Sequence, residues 1–266
     1  MDADDVLVGS VLSRREAVKL LGAGGIAALW SPVSLLGQAP PAATPGCVAR
    51  PEMIEGPYFV DKQAIRTDIR SGKSGPPKPG APLMIAFAIS QAAGGKCAPL
   101  PRATVDLWQC DALGIYSGVS DARYGFQTQG ETFLRGSQVT DANGAARFTT
   151  IYPGWYGGRA VHLHFKIRTE STPAGAYELT SQLFFPEELN DQVHAQSPYS
   201  QKGRRDMINE RDGFFRNGGT NLLLQPTKTA AGYDAPFAIA LDLSDAAVGR
   251  PDGRGRGGPG RGRGRS

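Results

Sequence analysis

The run TFLRGSQVTDANGAARFTTIY, residues 132–152, decides the fold class. Two strand-like segments, TFLRGSQVT and ARFTTIY, flank Asp141-Ala142-Asn143-Gly144, turn chemistry that predicts a β-hairpin. Apolar runs of strand length recur on both sides of it: PLMIAFAIS (82–90), ATVDLWQC (103–110), AVHLHFKI (160–167), ELTSQLFF (178–185) and FAIALDL (237–243). Only PEELNDQVHA (186–195) and the stretch around Gly203–Phe215 have partly helical character. Many short strands, close turns and few short helices predict an all-β protein, a β-sandwich. The 35 glycines and 20 prolines fit that architecture, because both residues serve turns better than long helices.

With 266 residues, 40% of them hydrophobic, the chain can bury a proper core. Its formal net charge of +4 comes from the end of the chain. The segment Arg250–Ser266 holds six arginines and one aspartate, so the remainder is close to neutral and no nucleic-acid partner is expected. That Gly/Arg-rich tail, 247–266, has almost nothing apolar to bury and reads as disordered. It could anchor to a polyanion, but no aromatic residues are interleaved with the arginines, which favours a solvated tail. At the other end, Arg14 and Arg15 precede an apolar, glycine-rich run and then small residues, the layout of a twin-arginine export signal over 1–39. The apolar run is short and broken by Pro32, so no transmembrane span is expected in the mature protein. Residues 40–46 read as a linker and 47–246 as the folded domain. Cys47, Cys97 and Cys110 suit an oxidising compartment with one disulfide and one spare thiol; the sequence leaves the pairing open.

The chemistry concentrates in PGWYGGRAVHLHF, 153–165. Side chains on a strand alternate faces, so His162 and His164 project to one side and make a two-point metal site. Tyr156 and Arg159 stand just before them, and Tyr116 lies beyond the strand that ends at Cys110. No Asp or Glu occurs between Asp141 and Glu170, so further ligands from this segment must be neutral or phenolate. A phenol with an ordinary pKa near 10 binds as phenolate only to a strongly Lewis-acidic ion, commonly ferric iron. His194, in a polar helical stretch, reads as a surface residue.

The segments EGPYFV (55–60), ATVDLWQCDALGIYS (103–117), 133–167 and TSQLFF (180–185) together resemble the intradiol ring-cleavage dioxygenases. The resemblance implies that family's β-sandwich and a mononuclear Fe(III) cofactor. It places Tyr116, Tyr156, His162 and His164 as metal ligands and Tyr156, Arg159 and Gln182 as catalytic residues. The implied reaction inserts both atoms of O2 into a catechol-type diol to give a cis,cis-muconate-type diacid. Two departures stand out. Only two glycines separate Tyr156 from Arg159, and no long helical N-terminal segment of the dimerising kind is present. The short loop favours an open pocket, and with the export signal these features are similar to the exported branch of the family; a monomer is expected. No cluster of positive charge stands reserved for a substrate carboxylate, which favours catechol-like over protocatechuate-like substrates. The competing expectation is a non-catalytic β-sandwich binding module of the cell envelope.

Overall fold

A computed structural model describes residues 47–244 other than 62, 74, 94–95 and 171–175. The expected signal, linker and Gly/Arg tail lie outside the described residues. Among the described residues eleven strands form in chain order: β1 (Pro82–Ala93), β2 (Lys96–Pro99), β3 (Thr104–Trp108), β4 (Ser120–Asp121), β5 (Phe126–Gln127), β6 (Arg135–Val139), β7 (Ala145–Ile151), β8 (His162–Arg168), β9 (Glu178–Phe184), β10 (Thr227–Thr229) and β11 (Gly232–Leu241). One sheet runs β10-β11-β1-β2 with β7 also paired to β1, the other β6-β3-β8-β9, and β4 pairs with β5. Two α-helices are described, α1 (Glu187–His194) and the single turn α2 (Gly213–Arg216). The all-β sandwich is the architecture found.

Alternation decides which side chains fill the space between the sheets. Leu83, Ile85, Phe87 and Ile89 of β1 are buried, while Pro82, Met84, Ala86 and Ala88, which alternate with them, are less so. Leu163, Phe165 and Ile167 of β8 meet them from the other sheet. The Phe165 ring lies 5.5 Å from both Phe87 and Phe237. Offset aromatic contacts of this kind add to the stabilisation from apolar burial.

The hairpin expected at 141–144 is not a hairpin. The turn itself forms: the Asp141 carboxylate accepts from the N–H groups of Asn143 and Ala145 at 2.8 and 2.9 Å, and Gly144 N–H donates to Asp141 O at 3.0 Å. Yet β6 pairs with β3, from Thr104↔Val139 to Trp108↔Arg135, whereas β7 pairs with β1, from Pro82↔Ile151 to Ala88↔Ala145. Each arm has a full-length partner elsewhere, so the turn carries the chain from one sheet to the other.

β8 is buried on both faces, and its even-numbered residues point away from the sandwich core. Cross-strand register aligns Arg135, Trp108, His164 and Gln182 in a row across that outer face. The segment from Met53 to Phe59 covers the row. Met53 N–H donates to Thr180 O at 2.8 Å, and the Phe59 ring packs 4.8 Å from Trp108.

Candidate active site

His162 and His164 are both buried, with their Nε2 atoms 3.1 Å apart. His162 Nδ1 lies 2.7 Å from Ala160 O, so its proton sits on Nδ1 and Nε2 offers a lone pair. Trp108 stacks on His164 at 5.0 Å and 8° between planes, fixing the ring. Burial holds both imidazoles well below the ordinary histidine range; the Arg159 charge adds to this for His162, and His162 and then Arg159 add to it for His164. Both rings are neutral at neutral pH.

The tyrosines arrive on two loops that need each other. Asp111 carries the first: its carboxylate accepts from the N–H groups of Leu113 and Ile115, each at 3.0 Å. A Cβ on Gly114 would meet Trp155 O at 2.1 Å, and one on Gly154 would meet Asp111 O at 2.4 Å. Only glycine at both positions allows the loops to touch. That contact brings the Tyr116 and Tyr156 rings to 5.7 Å, with Tyr156 5.5 Å from His162 and Tyr116 6.4 Å from His164. Tyr116 is fully buried and its hydroxyl has no hydrogen-bond partner. Burial pushes its pKa well above the ordinary value, while Tyr156 rises to about 12, again mainly through burial and opposed by Arg159.

Arg159 and Gln182 complete the cluster. Arg159 Nη2 donates to Gln182 Oε1 at 2.6 Å and Nη1 to Tyr156 Oη at 3.4 Å. Gln182 is buried, and its Nε2 donates to Ile54 O at 3.2 Å. All six residues singled out from the sequence therefore meet in one place on the outer face of the second sheet. Among the described residues no group of three or more His, Cys, Asp or Glu could hold a metal ion. A metal bound by the two histidines would draw its other protein ligands from the phenols beside them.

Several neighbours were not foreseen. Tyr58 stacks on Tyr116 at 4.5 Å and meets Tyr156 edge-on at 5.6 Å, while its hydroxyl donates to Asp121 Oδ2 at 2.5 Å. It stands within EGPYFV, visible in sequence without a role. Asp212 pairs with Arg159 from 53 residues further along the chain; its only local signal is that of an N-cap before Gly213-Phe214-Phe215. His194 is a correction: it is buried, stacked on Tyr199 at 5.1 Å and 3.0 Å from Pro153 O. The polar face of α1 is covered by the following segment, where Arg205 donates to both Glu187 and Asp191. Trp155 is half-buried against the core, with the Lys202 ammonium 4.9 Å from its ring centre. The disulfide joins Cys47 to Cys97, and Cys110 is a buried free thiol in the tyrosine cluster.

A family model described as dioxygenase matches residues 54–224, which contain every one of these site residues. An intradiol ring-cleavage dioxygenase from Tetranychus urticae superposes with a TM-score of 0.63 at 30% identity, covering 75% of this chain and 97% of that one. The dioxygenase domain of a carbohydrate-binding fusion from Streptomyces sp. SirexAA-E gives 0.50 at 26% identity, covering 74% and 100%. In sequence, catechol 1,2-dioxygenase 1 of Acinetobacter lwoffii is 26% identical over 150 residues, 50% of this chain and 45% of that protein. The chain belongs to the intradiol ring-cleavage dioxygenase family. It spans about half the length of the catechol-cleaving relatives it matches in sequence.

Proposed function

We propose that the protein is an exported Fe(III) intradiol dioxygenase that cleaves a catechol-type diol with O2 to a cis,cis-muconate-type diacid. One observation carries this reading. Two imidazole Nε2 atoms at 3.1 Å stand beside a fully buried, unpartnered phenol and a second phenol, with ring centres 5.5–6.4 Å from the imidazoles and 5.7 Å from each other. Buried polar atoms without partners are rare in folded proteins, and this set matches the donor preferences of ferric iron. Tyr116, Tyr156, His162 and His164 would hold the ion; two phenolates offset most of its charge in a site screened from water. When bound, Fe(III) supplies the Lewis acidity that gathers the diol oxygens and makes the ring reactive towards O2.

The chain's own residues do the rest. Tyr156 Oη, beside Arg159 Nη1, is placed to take a proton from an incoming hydroxyl. Arg159 presents a fixed planar cation to the negative charge that develops on the ring oxygens. Gln182 holds the guanidinium in register. Both atoms of O2 enter the product, so the reaction needs no external reductant. The Cys47–Cys97 bridge supports an oxidising destination, in line with Arg14 and Arg15 as an export signal.

The test is a visible spectrum of the purified protein before and after catechol is added in air. The reading expects a wine-red phenolate-to-iron band that shifts with catechol, then a rising muconate absorbance. A protein that stays colourless with Fe(III) supplied and leaves catechol intact would refute it and leave a binding module.

A further inference from the structure

We propose that Asp212 is a positioning residue, which aims Arg159 at the reacting atoms; this rests on the function proposed above. Its side chain is 1% exposed and its carboxylate accepts four hydrogen bonds. Oδ2 takes Arg159 Nε at 2.8 Å and Ala160 N–H at 2.9 Å, while Oδ1 takes the N–H groups of Phe214 and Phe215 at 2.8 and 3.3 Å. Asp212 therefore caps α2 with one oxygen and grips the arginine with the other. Phe214, the residue whose N–H it holds, lays its ring 4.3 Å below the guanidinium carbon.

Three parts of the guanidinium are thereby held from outside the donor set. Nε is on Asp212, Nη2 on Gln182 and one face on Phe214; Nη1 alone reaches towards Tyr156. A free arginine side chain samples many rotamers, and ordering it is costly. Here that ordering is complete before substrate arrives, so the cation needs no rearrangement as charge develops. The device is remote in sequence, on a segment that contributes none of the four convergent donors. Substitution at 212 should consequently change how Arg159 acts. Because Oδ2 also holds Ala160 N–H, and Ala160 O lies 2.7 Å from His162 Nδ1, the resting iron band reports in the same experiment that the donor set has stayed in place.

The discriminating experiment is a double-substitution cycle on the iron-loaded protein with catechol, using D212N, R159A and the pair. D212N keeps the size and an oxygen for the cap, but turns an amide NH2 towards the Arg159 Nε–H and Ala160 N–H donors. Expected is a fall in kcat on the order of 10²-fold for D212N, with a much smaller change in KM and the resting colour retained. In the R159A background the same substitution should change kcat less than about twofold, as expected for residues acting as a unit. A D212N kcat equal to wild type, or an equal fold-loss with and without Arg159, overturns the proposal.

D212S, whose hydroxyl still caps the helix but is too short to reach Nε, serves if D212N does not fold. A crystal structure of either variant reads the same point without turnover. The proposal expects the guanidinium displaced from Gln182 Oε1, and an unmoved Arg159 overturns it. Should the wild type leave catechol intact, the dioxygenase reading falls, while the crystal structure still decides whether Asp212 aims the arginine.

Discussion

Replacing Gly56 by alanine should weaken the site from a position that carries no functional group. Gly56 has φ +76°, and a Cβ there would lie 3.2 Å from His164 Cε1 and 3.8 Å from Nε2. Two effects follow. The left-handed conformation costs a non-glycine residue about 1–2 kcal/mol. The methyl also pushes on an imidazole that cannot yield freely, because Trp108 stacks on it at 5.0 Å. Gly125 separates the two effects: its φ is +70° and a Cβ there meets nothing within 4 Å. For a domain of this size each kcal/mol corresponds to about 2–4 °C, so the backbone effect alone lowers Tm by roughly 2–8 °C. Calorimetry of the metal-free proteins should show a drop of that size for G125A and a larger one for G56A. Iron titration followed by the phenolate band should then show affinity reduced on the order of 10–100-fold for G56A, the usual effect of disturbing a ligand's support, and unchanged for G125A. Equal iron affinity in G56A and G125A would refute the claim that Gly56 sets the place of His164.

The Cys47–Cys97 bridge closes a loop with a sequence separation of 50, for which the chain-entropy model gives about 4 kcal/mol. C97S, or reduction of the wild type, should lower the unfolding free energy by that order in a denaturant titration, and a loss below about 1 kcal/mol would contradict it. Burial lowers the His194 pKa to about 4, beneath the unfolded value of about 6.5. The unfolded chain therefore binds the extra proton first, and stability is full above pH 6.5 and falls as pH drops towards 4. H194Q should flatten that part of the stability–pH profile by an amount of order 1–3 kcal/mol; a profile identical to wild type would show that other groups dominate.

What the sequence disclosed was local. Alternation placed His162 and His164 on one face, and the turn at Asp141 formed where its side chain could catch its own backbone. The partner strands of that turn were invisible, because a turn specifies a reversal of direction and says nothing about which sheet receives each arm. The same limit explains Asp212. A carboxylate capping a one-turn helix looks the same whether or not an arginine reaches its second oxygen, and that arginine lies in a distant loop. His194 was misread since the helix pattern around it is polar. Its cover comes from Tyr199 and Arg205, whose approach no periodicity in α1 predicts. The disulfide, open among three cysteines, was settled by the pairing of β1 with β2, which carries Cys97 to the position that Cys47 reaches.

The parallel pairing of β1 with β11, from Leu83↔Tyr233 to Gln91↔Leu241, has a consequence for how the protein is made. A ribosome delivers β1 about 150 residues before its partner, and until then one side of that strand is an unpaired edge of backbone donors and acceptors. Such edges recruit other chains, and pairings so distant in sequence form slowly. The domain can close only once nearly the whole described chain has emerged. During synthesis, protection of that edge therefore falls to the cell rather than to the fold.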